Sequence, residues 1–307
     1  VSRPTATVAR HAAAYAAGSV VGGITRAVLL PVVARTLAPD EYGVLTLLLT
    51  VTNLLHLLFE LGLVTALIKF HAESDDAAFR RRLRSVTFVF LPALDLLIAL
   101  PILLGRDALS AALFGTPAHG GLVAIALATA FAAAQFQLFL AHLRADDRSR
   151  DFVILMGIKG AVSLAATLAL VFGAGMGVRG FLLGSLAGPA AVAAVLVPRL
   201  LLRAGVHLAG ARELLRRMLA FGVPLVPASL GVWLLGNLDT WLLRVLADMR
   251  SVGVFGFGSE LCLPIALLLT SVQLAWPSFA FGRARRPGGA EEVARVFRHL
   301  FVVMVGG

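Results

Sequence analysis

The chain has 307 residues, 59% of them hydrophobic and only 14% charged, a balance that excludes an ordinary soluble domain. A net charge of +10 would suggest nucleic acid in a soluble protein, but the basic residues here fall in alternate loops between apolar runs, so no nucleic-acid partner is expected. The single cysteine, Cys262, lies in an apolar run, which excludes disulfides and thiolate metal sites.

Eight long apolar segments and a ninth that is cut short predict helices over 13–36, 43–68, 85–104, 119–142, 152–174, 178–199, 221–246, 252–280 and from 293 onward. Each of the long runs can cross a bilayer core of roughly 30 Å. Most of the 27 Lys and Arg residues sit in every second connection, around Arg3, Lys69 and Arg80–Arg84, Arg144–Arg150, Arg199–Arg217 and Arg283–Arg298. Positive loops stay in the cytoplasm. The alternation therefore predicts an all-α polytopic inner-membrane bundle with a cytoplasmic N-terminus. The first run carries an internal arginine and lacks a small-residue cleavage site, so it does not read as a signal peptide. The last segment stops while still apolar, and the chain reads as the N-terminal portion of a longer protein or an incomplete bundle.

The first helix places Arg26 near its middle, beside Gly18, Gly22 and Gly23. An arginine that deep costs at least about 2.5–3.5 kcal/mol and needs a carboxylate or an anionic ligand. Glu60 or Asp95 could pair with it. A guanidinium also grips phosphate bidentately. The second helix carries Thr46, Thr50, Asn53, His56 and Glu60 at helical spacing, a polar stripe that must meet other helices or a water-filled cavity. Asp95 sits within the third helix, either in a structural pair or binding a coupling proton or cation. Two acidic clusters, Asp75/Asp76 and Asp146/Asp147 with Asp151, could hold a Mg²⁺-diphosphate in a membrane prenyltransferase. Interleaved arginines make them read better as a solvated basic loop.

Further along, Lys159 can snorkel to the cytoplasmic surface. Gly180, Gly184 and Gly188 form a small-xxx-small ridge for close helix packing. The stretch Gly205–Ala220 is amphipathic, with Leu208, Leu214, Leu215 and Leu219 opposite its arginines, and is expected to lie flat on the membrane surface. The seventh helix holds Asp239 and Arg244 with Trp233, Gly236, Asn237 and Thr240, and the eighth holds Glu260. Prolines 31, 92, 224, 227 and 264 inside spans predict kinks. Trp241 and Trp276 suit interface belts. There is no P-loop and no metal-spaced histidine set, so no enzyme activity and no cofactor are expected.

The chain also repeats itself. The first helix exits through Arg35-Thr-Leu-Ala and re-enters at Gly43-Val, and the seventh exits through Arg244-Val-Leu-Ala and re-enters at Gly253-Val. Both helices run in the same direction, so the repeat is parallel and six helices long. Two such lobes about an axis along the membrane normal are a transporter plan. The first lobe would span 1–204. An amphipathic linker and the first three helices of an incomplete second lobe would span 205–307.

Three stretches carry a resemblance: Gly18-Ser-Val-Val-Gly-Gly, the run from Leu29 through Pro-Asp-Glu-Tyr-Gly43, and Glu60-Leu-Gly-Leu with Ala66-Leu-Ile-Lys-Phe70. Phe221-Gly-Val-Pro, Asp239-Thr-Trp-Leu-Leu and Val252-Gly-Val-Phe255 continue it. These resemble polysaccharide-biosynthesis flippases, the Wzx-type branch of the multidrug/oligosaccharidyl-lipid/polysaccharide exporter superfamily. The resemblance implies two six-helix lobes around a central cavity. It also implies transfer of an undecaprenyl-diphosphate-linked oligosaccharide (an O-antigen or exopolysaccharide unit) between leaflets by alternating access. The expected partners are that lipid-linked oligosaccharide and membrane lipid, with a polysaccharide polymerase and glycosyltransferases nearby. Candidate cavity residues are Arg26, Asn53, His56, Glu60, Asp239, Arg244 and Glu260. Coupling to H⁺ or Na⁺ through Glu60, Asp239 or Glu260 is expected. Rival readings are a cation-coupled multidrug exporter of the same superfamily, the prenyltransferase and a non-transporting scaffold.

Overall fold

The computed structural model describes Leu29, Val33, residues 35–74, 76–204 and 210–262, and Glu291 and Arg298. The chain forms two compact units, Val1–Leu261 and Cys262–Gly307. Of the second unit, only Cys262, Glu291 and Arg298 are described. The first predicted helix lies almost wholly outside the described residues, as do the later part of the eighth and all but Arg298 of the ninth.

All regular structure among the described residues is helical. Among the described residues, six stretches are long and apolar enough to cross a membrane: 39–72, 77–104, 117–145, 149–173, 177–196 and 211–246. They match the second to seventh predicted runs. The protein is an all-α multi-pass membrane bundle.

Helix α1, Pro39–Glu60, starts earlier than its apolar run because its first turn is polar. Pro39 presets the backbone there. Glu41 accepts from the Ala38 amide at 3.0 Å, one half of a capping box. The helix breaks at Leu61 (φ 44°) and Gly62 (φ 68°), both left-handed, before α2, Leu63–Ala72, resumes. The break is packed from outside. A Cβ on Gly62 would collide with the Gly222 backbone, and one on Gly222 with Leu61 and Gly62.

Helix α3, Ala77–Ser85, is capped by Asp76, whose carboxylate accepts from the Ala78 and Phe79 amides. Those two donors hold the Asp76 carboxyl below its usual range. A π-helical turn, Val86–Phe90, leads into α4, Leu91–Leu104. The predicted loop after it contains a short helix, α5, Arg106–Phe114, ended by left-handed Gly115. At nine residues it was too short to register as an apolar run. Helix α6, Gly120–Ala145, and α7, Ser149–Leu168, follow, the latter extended by a π turn at Ala169–Gly173. Helix α8, Gly177–Ala204, packs along α7 through the predicted glycine ridge. A Cβ on Gly184 would strike Thr167, and one on Gly188 would strike the Lys159 carbonyl.

The amphipathic linker forms helix α9, Ala211–Gly222, continued through a 3₁₀ turn into α10, Val226–Leu246. Its apolar face meets protein rather than a lipid surface. Leu214 and Met218 are buried, with Leu215 and Leu219 beside them, against Leu63, Leu67, Phe70, Leu83 and Val86. Arg217 stands over the Phe70 ring at 5.2 Å and Lys69 over the Phe221 ring at 4.0 Å. These cation–π contacts hold the basic faces of α2 and α9 together. Helix α11, Met249–Leu261, completes the described bundle.

The two copies of the repeat touch. A Cβ on Gly43 would collide with the Met249 carbonyl, and a Cβ on Gly253 would collide with the Pro39 carbonyl. Each glycine thus receives the carbonyl of the residue four places before the other, a reciprocal contact with two-fold character. One turn further in, Gly256 packs on the Thr46 side chain. Only glycine allows helix backbones to approach this closely.

Candidate functional site

Just beyond that contact, α1, α10 and α11 enclose a polar cavity of about 160 Å³. Helix α1 contributes Tyr42, Thr46, Leu49, Thr50 and Asn53. Helix α10 contributes Gly236, Asn237, Asp239 and Thr240, and α11 contributes Phe255, Gly256, Ser259 and Glu260. The repeat explains why polar groups converge here. Carrying the equivalence of Gly43 with Gly253 forward pairs Thr46 with Gly256 and Thr50 with Glu260. The same face of two crossing helices is presented from both sides.

Several hydroxyl protons are already engaged on their own helices. Thr46 donates to the Tyr42 carbonyl at 2.9 Å, Thr50 to Thr46 at 3.1 Å and Ser259 to Phe255 at 3.0 Å. The Asn237 amide donates to the Trp233 carbonyl at 2.8 Å. Their oxygens keep free lone pairs. With the carboxylates of Asp239 and Glu260, this makes the lining rich in acceptors. Asp239 accepts from the Thr240 amide at 2.8 Å, and its residue is exposed, so one oxygen is held while the other can meet a ligand. Such a lining suits hydroxyl donors or a cation.

Of the predicted site residues, Asn53, Asp239 and Glu260 come together in this cavity. His56 and Glu60 do not line it. Their side chains stand 3.5 Å apart along α1. The stripe divides because His56 lies about 80° round from Thr46, while Glu60, only about 40° round, lies roughly 21 Å further along the axis. Arg244 is also elsewhere. Its Nε donates to the Leu113 carbonyl at 2.6 Å and so caps the last turn of α5. Arg26 lies outside the described residues. Thr46, Thr50, Gly236, Asn237 and Thr240 are legible as parts of mixed faces, whereas Ser259 gives no signal of its own. The repeat offset would have found Ser259, as the counterpart of Leu49.

The acidic loop residues do not converge. Asp146 lies 2.9 Å from His71 Nε2, and Asp151 binds Arg148 at 2.6 Å. Asp147 occupies a left-handed turn, and Asp75 lies outside the described residues. No cluster of three or more metal-ligating side chains occurs among the described residues.

A family model described as polysaccharide biosynthesis protein matches residues 8–280. No curated protein matches the chain. No solved structure matches it.

Proposed function

The chain belongs to the polysaccharide biosynthesis protein family, and from that premise we propose that it is a flippase for an undecaprenyl-diphosphate-linked oligosaccharide. In this reading it sits in the bacterial inner membrane with its arginine-rich loops in the cytoplasm. It works by alternating access and supplies O-antigen or exopolysaccharide assembly, with a polymerase and glycosyltransferases as partners. The observation that supports the reading is the polar cavity enclosed by α1, α10 and α11, beside the Gly43–Gly253 contact. A sugar–diphosphate head cannot cross hydrocarbon unaided, because its polar groups would lose their hydrogen bonds. A polar cavity within the bundle supplies partners while the lipid tail stays in the bilayer.

The cavity is smaller than the roughly 300–1,000 Å³ of common ligand sites. In this conformation it suits water, a small cation or part of one sugar ring, and a head group requires the helices to part. The cavity's amides and hydroxyls offer a glycan hydrogen-bond partners that the lipophilic cations of a multidrug exporter would not use. Arg26 would meet the diphosphate, and Asp239 or Glu260 would sense a coupling H⁺ or Na⁺.

The test is transport of a fluorescent polyprenyl-diphosphate saccharide in proteoliposomes. Loss of one charged contact, at about 1.5–3 kcal/mol, should slow transfer by roughly 10–100-fold in Glu260→Gln and Asp239→Asn. Export of lipophilic cations in place of the saccharide would select the multidrug reading. Full transfer by both variants would remove the cavity from the pathway.

A further inference from the structure

We propose that Asp95 and Gln135 form an internal proton-binding site between α4 and α6, separate from the polar cavity. Asp95 is completely buried, in the middle of the most apolar part of its span. Among the described residues it has one polar partner. The Gln135 side-chain amide lies 2.7 Å from its Oδ2, and Oδ1 is buried without a hydrogen bond.

Among the described residues, the elements packed against α4 bring no counter-charge to it. Helix α6 carries His142 and Arg144, but they lie seven and nine residues beyond Gln135, roughly 10 Å or more along the axis. Helix α5 carries Arg106 and Asp107, at least eleven residues from Asp95, roughly 16 Å away. The π turn Val86–Phe90 carries no charge. Arg84, before it, lies eleven residues from Asp95 on the other side.

An ionised carboxylate held by one neutral amide at this depth is strongly disfavoured. A proton on Oδ1 removes that charge. The conclusion does not depend on how the amide is turned, since its two ends are assigned by hydrogen bonding rather than by shape. If nitrogen faces Asp95, it donates to Oδ2 and leaves Oδ1 to carry the proton. If oxygen faces Asp95, a contact of 2.7 Å between two oxygens requires the carboxyl proton between them. A metal ion would need more ligands than these two side chains supply.

The pair is built to release its proton only on a change of shape. Gln135 also lines an apolar groove of about 490 Å³ between α4, α6 and α8, whose other walls include Leu96, Phe131 and Leu186. Water cannot reach Oδ1 while α4 and α6 stay packed. The π turn one turn before Asp95 is a local widening of the kind that recurs at functional sites. When α4 and α6 part, water replaces the Gln135 contact, the Asp95 carboxyl gives its proton to that water, and the carboxylate left behind is solvated. The binding half of this inference stands apart from the flippase reading. The release half rests on the chain being a transporter.

Infrared difference spectroscopy of the full chain in lipid nanodiscs, titrated with pH, tests binding. The wild type should show a protonated-carboxyl C=O band at neutral pH that exchanges slowly in D₂O and is absent in Asp95→Asn. Glu260→Gln and Asp239→Asn should keep that band. Its absence from the wild type, or its persistence in Asp95→Asn, overturns the proposal. Asp95→Asn resembles the neutral acid in shape, so it should insert and melt as the wild type does. Failure to fold would show that the site needs a charge and would equally overturn it.

Release is read separately, as the pH dependence of transport in proteoliposomes. Asp95→Asn should flatten it. An unchanged profile refutes release, while the infrared band still decides binding. Loss of all transport in the wild type would count against the flippase reading and leave the infrared result intact.

Discussion

Gly253 offers the most direct test of how the bundle is held together. It lies on α11 where that helix crosses α1, and a Cβ there would collide with the Pro39 carbonyl and stand 2.8 Å from the Gly43 amide nitrogen. Both are backbone atoms of a packed helix, so neither can move aside cheaply. Overpacking of this kind costs about 1–3 kcal/mol. Gly231 on α10 is the control, because nothing lies within 4 Å of a Cβ built there. In a helix interior alanine is favoured over glycine by roughly 0.5–1 kcal/mol. Gly253→Ala should therefore destabilise the protein and Gly231→Ala should stabilise it, although the chemical change is the same. The same propensity gain offsets part of the cost at Gly253, leaving a net loss of up to about 2.5 kcal/mol, so at roughly 2–4 °C per kcal/mol Gly253→Ala should lower the melting temperature by up to about 10 °C. Gly231→Ala should raise it by about 1–4 °C. The assay is thermal unfolding of purified protein in one detergent, followed by helical circular dichroism. Equal shifts, or a stabilised Gly253→Ala, would refute the reciprocal contact between the repeats.

Two further outcomes follow from single side chains. Arg244→Ala should leave the Leu113 carbonyl without its donor and cost about 1–3 kcal/mol. Faster hydrogen exchange confined to residues 106–119 would show it, and exchange unchanged there would refute the capping role. Asp76→Ala should fray the start of α3, and Asp76→Asn should fray it less, as read by exchange of the Ala78 and Phe79 amides. The Asp76 carboxyl is held below its ordinary value, so its contribution is complete above the unfolded-state pKa. It fades as pH falls through the lower folded-state value. Fraying that grew with rising pH would contradict that sign.

Much of the bundle is legible in the sequence because membrane physics leaves few solutions. Apolar length and the Gly180–Gly184–Gly188 ridge each have one structural meaning in lipid, and the described helices follow them. What failed is instructive. Helix α5 is missed because at nine residues it cannot span, and hydropathy registers only what spans. The linker is read as a surface helix because its pattern is amphipathic, yet amphipathicity states only that one face is buried. Leu214 and Met218 find Leu63 and Val86 rather than lipid, a partner no local pattern names. The polar stripe on α1 is real as a face, but one face need not serve one site. Thr46, Thr50 and Asn53 reach the cavity, whereas His56 is turned from that face and Glu60 lies roughly 21 Å beyond Thr46 along the axis. Arg244 shows the same limit from the other side, since a charged residue within a span can be occupied by a carbonyl that lies 131 residues earlier in the chain.

The repeat carries more information than any single motif, because it predicts contacts between distant segments. Gly43 and Gly253 meet through the equivalence read from Arg-x-Leu-Ala and Gly-Val, and the same offset pairs Thr46 with Gly256 and Thr50 with Glu260. The helices that close most tightly at their N-terminal turns are therefore the ones that line the cavity two turns later. A rotation that frees Gly253 from Pro39 must also move Glu260 relative to Thr50, since both lie on continuous helix. Opening and ligand contact are thereby tied to one rigid-body coordinate. On the proposed reading, that tie lets a ligand at Asp239 and Glu260 shift the balance between closed and open forms, to the extent that it binds one form better than the other.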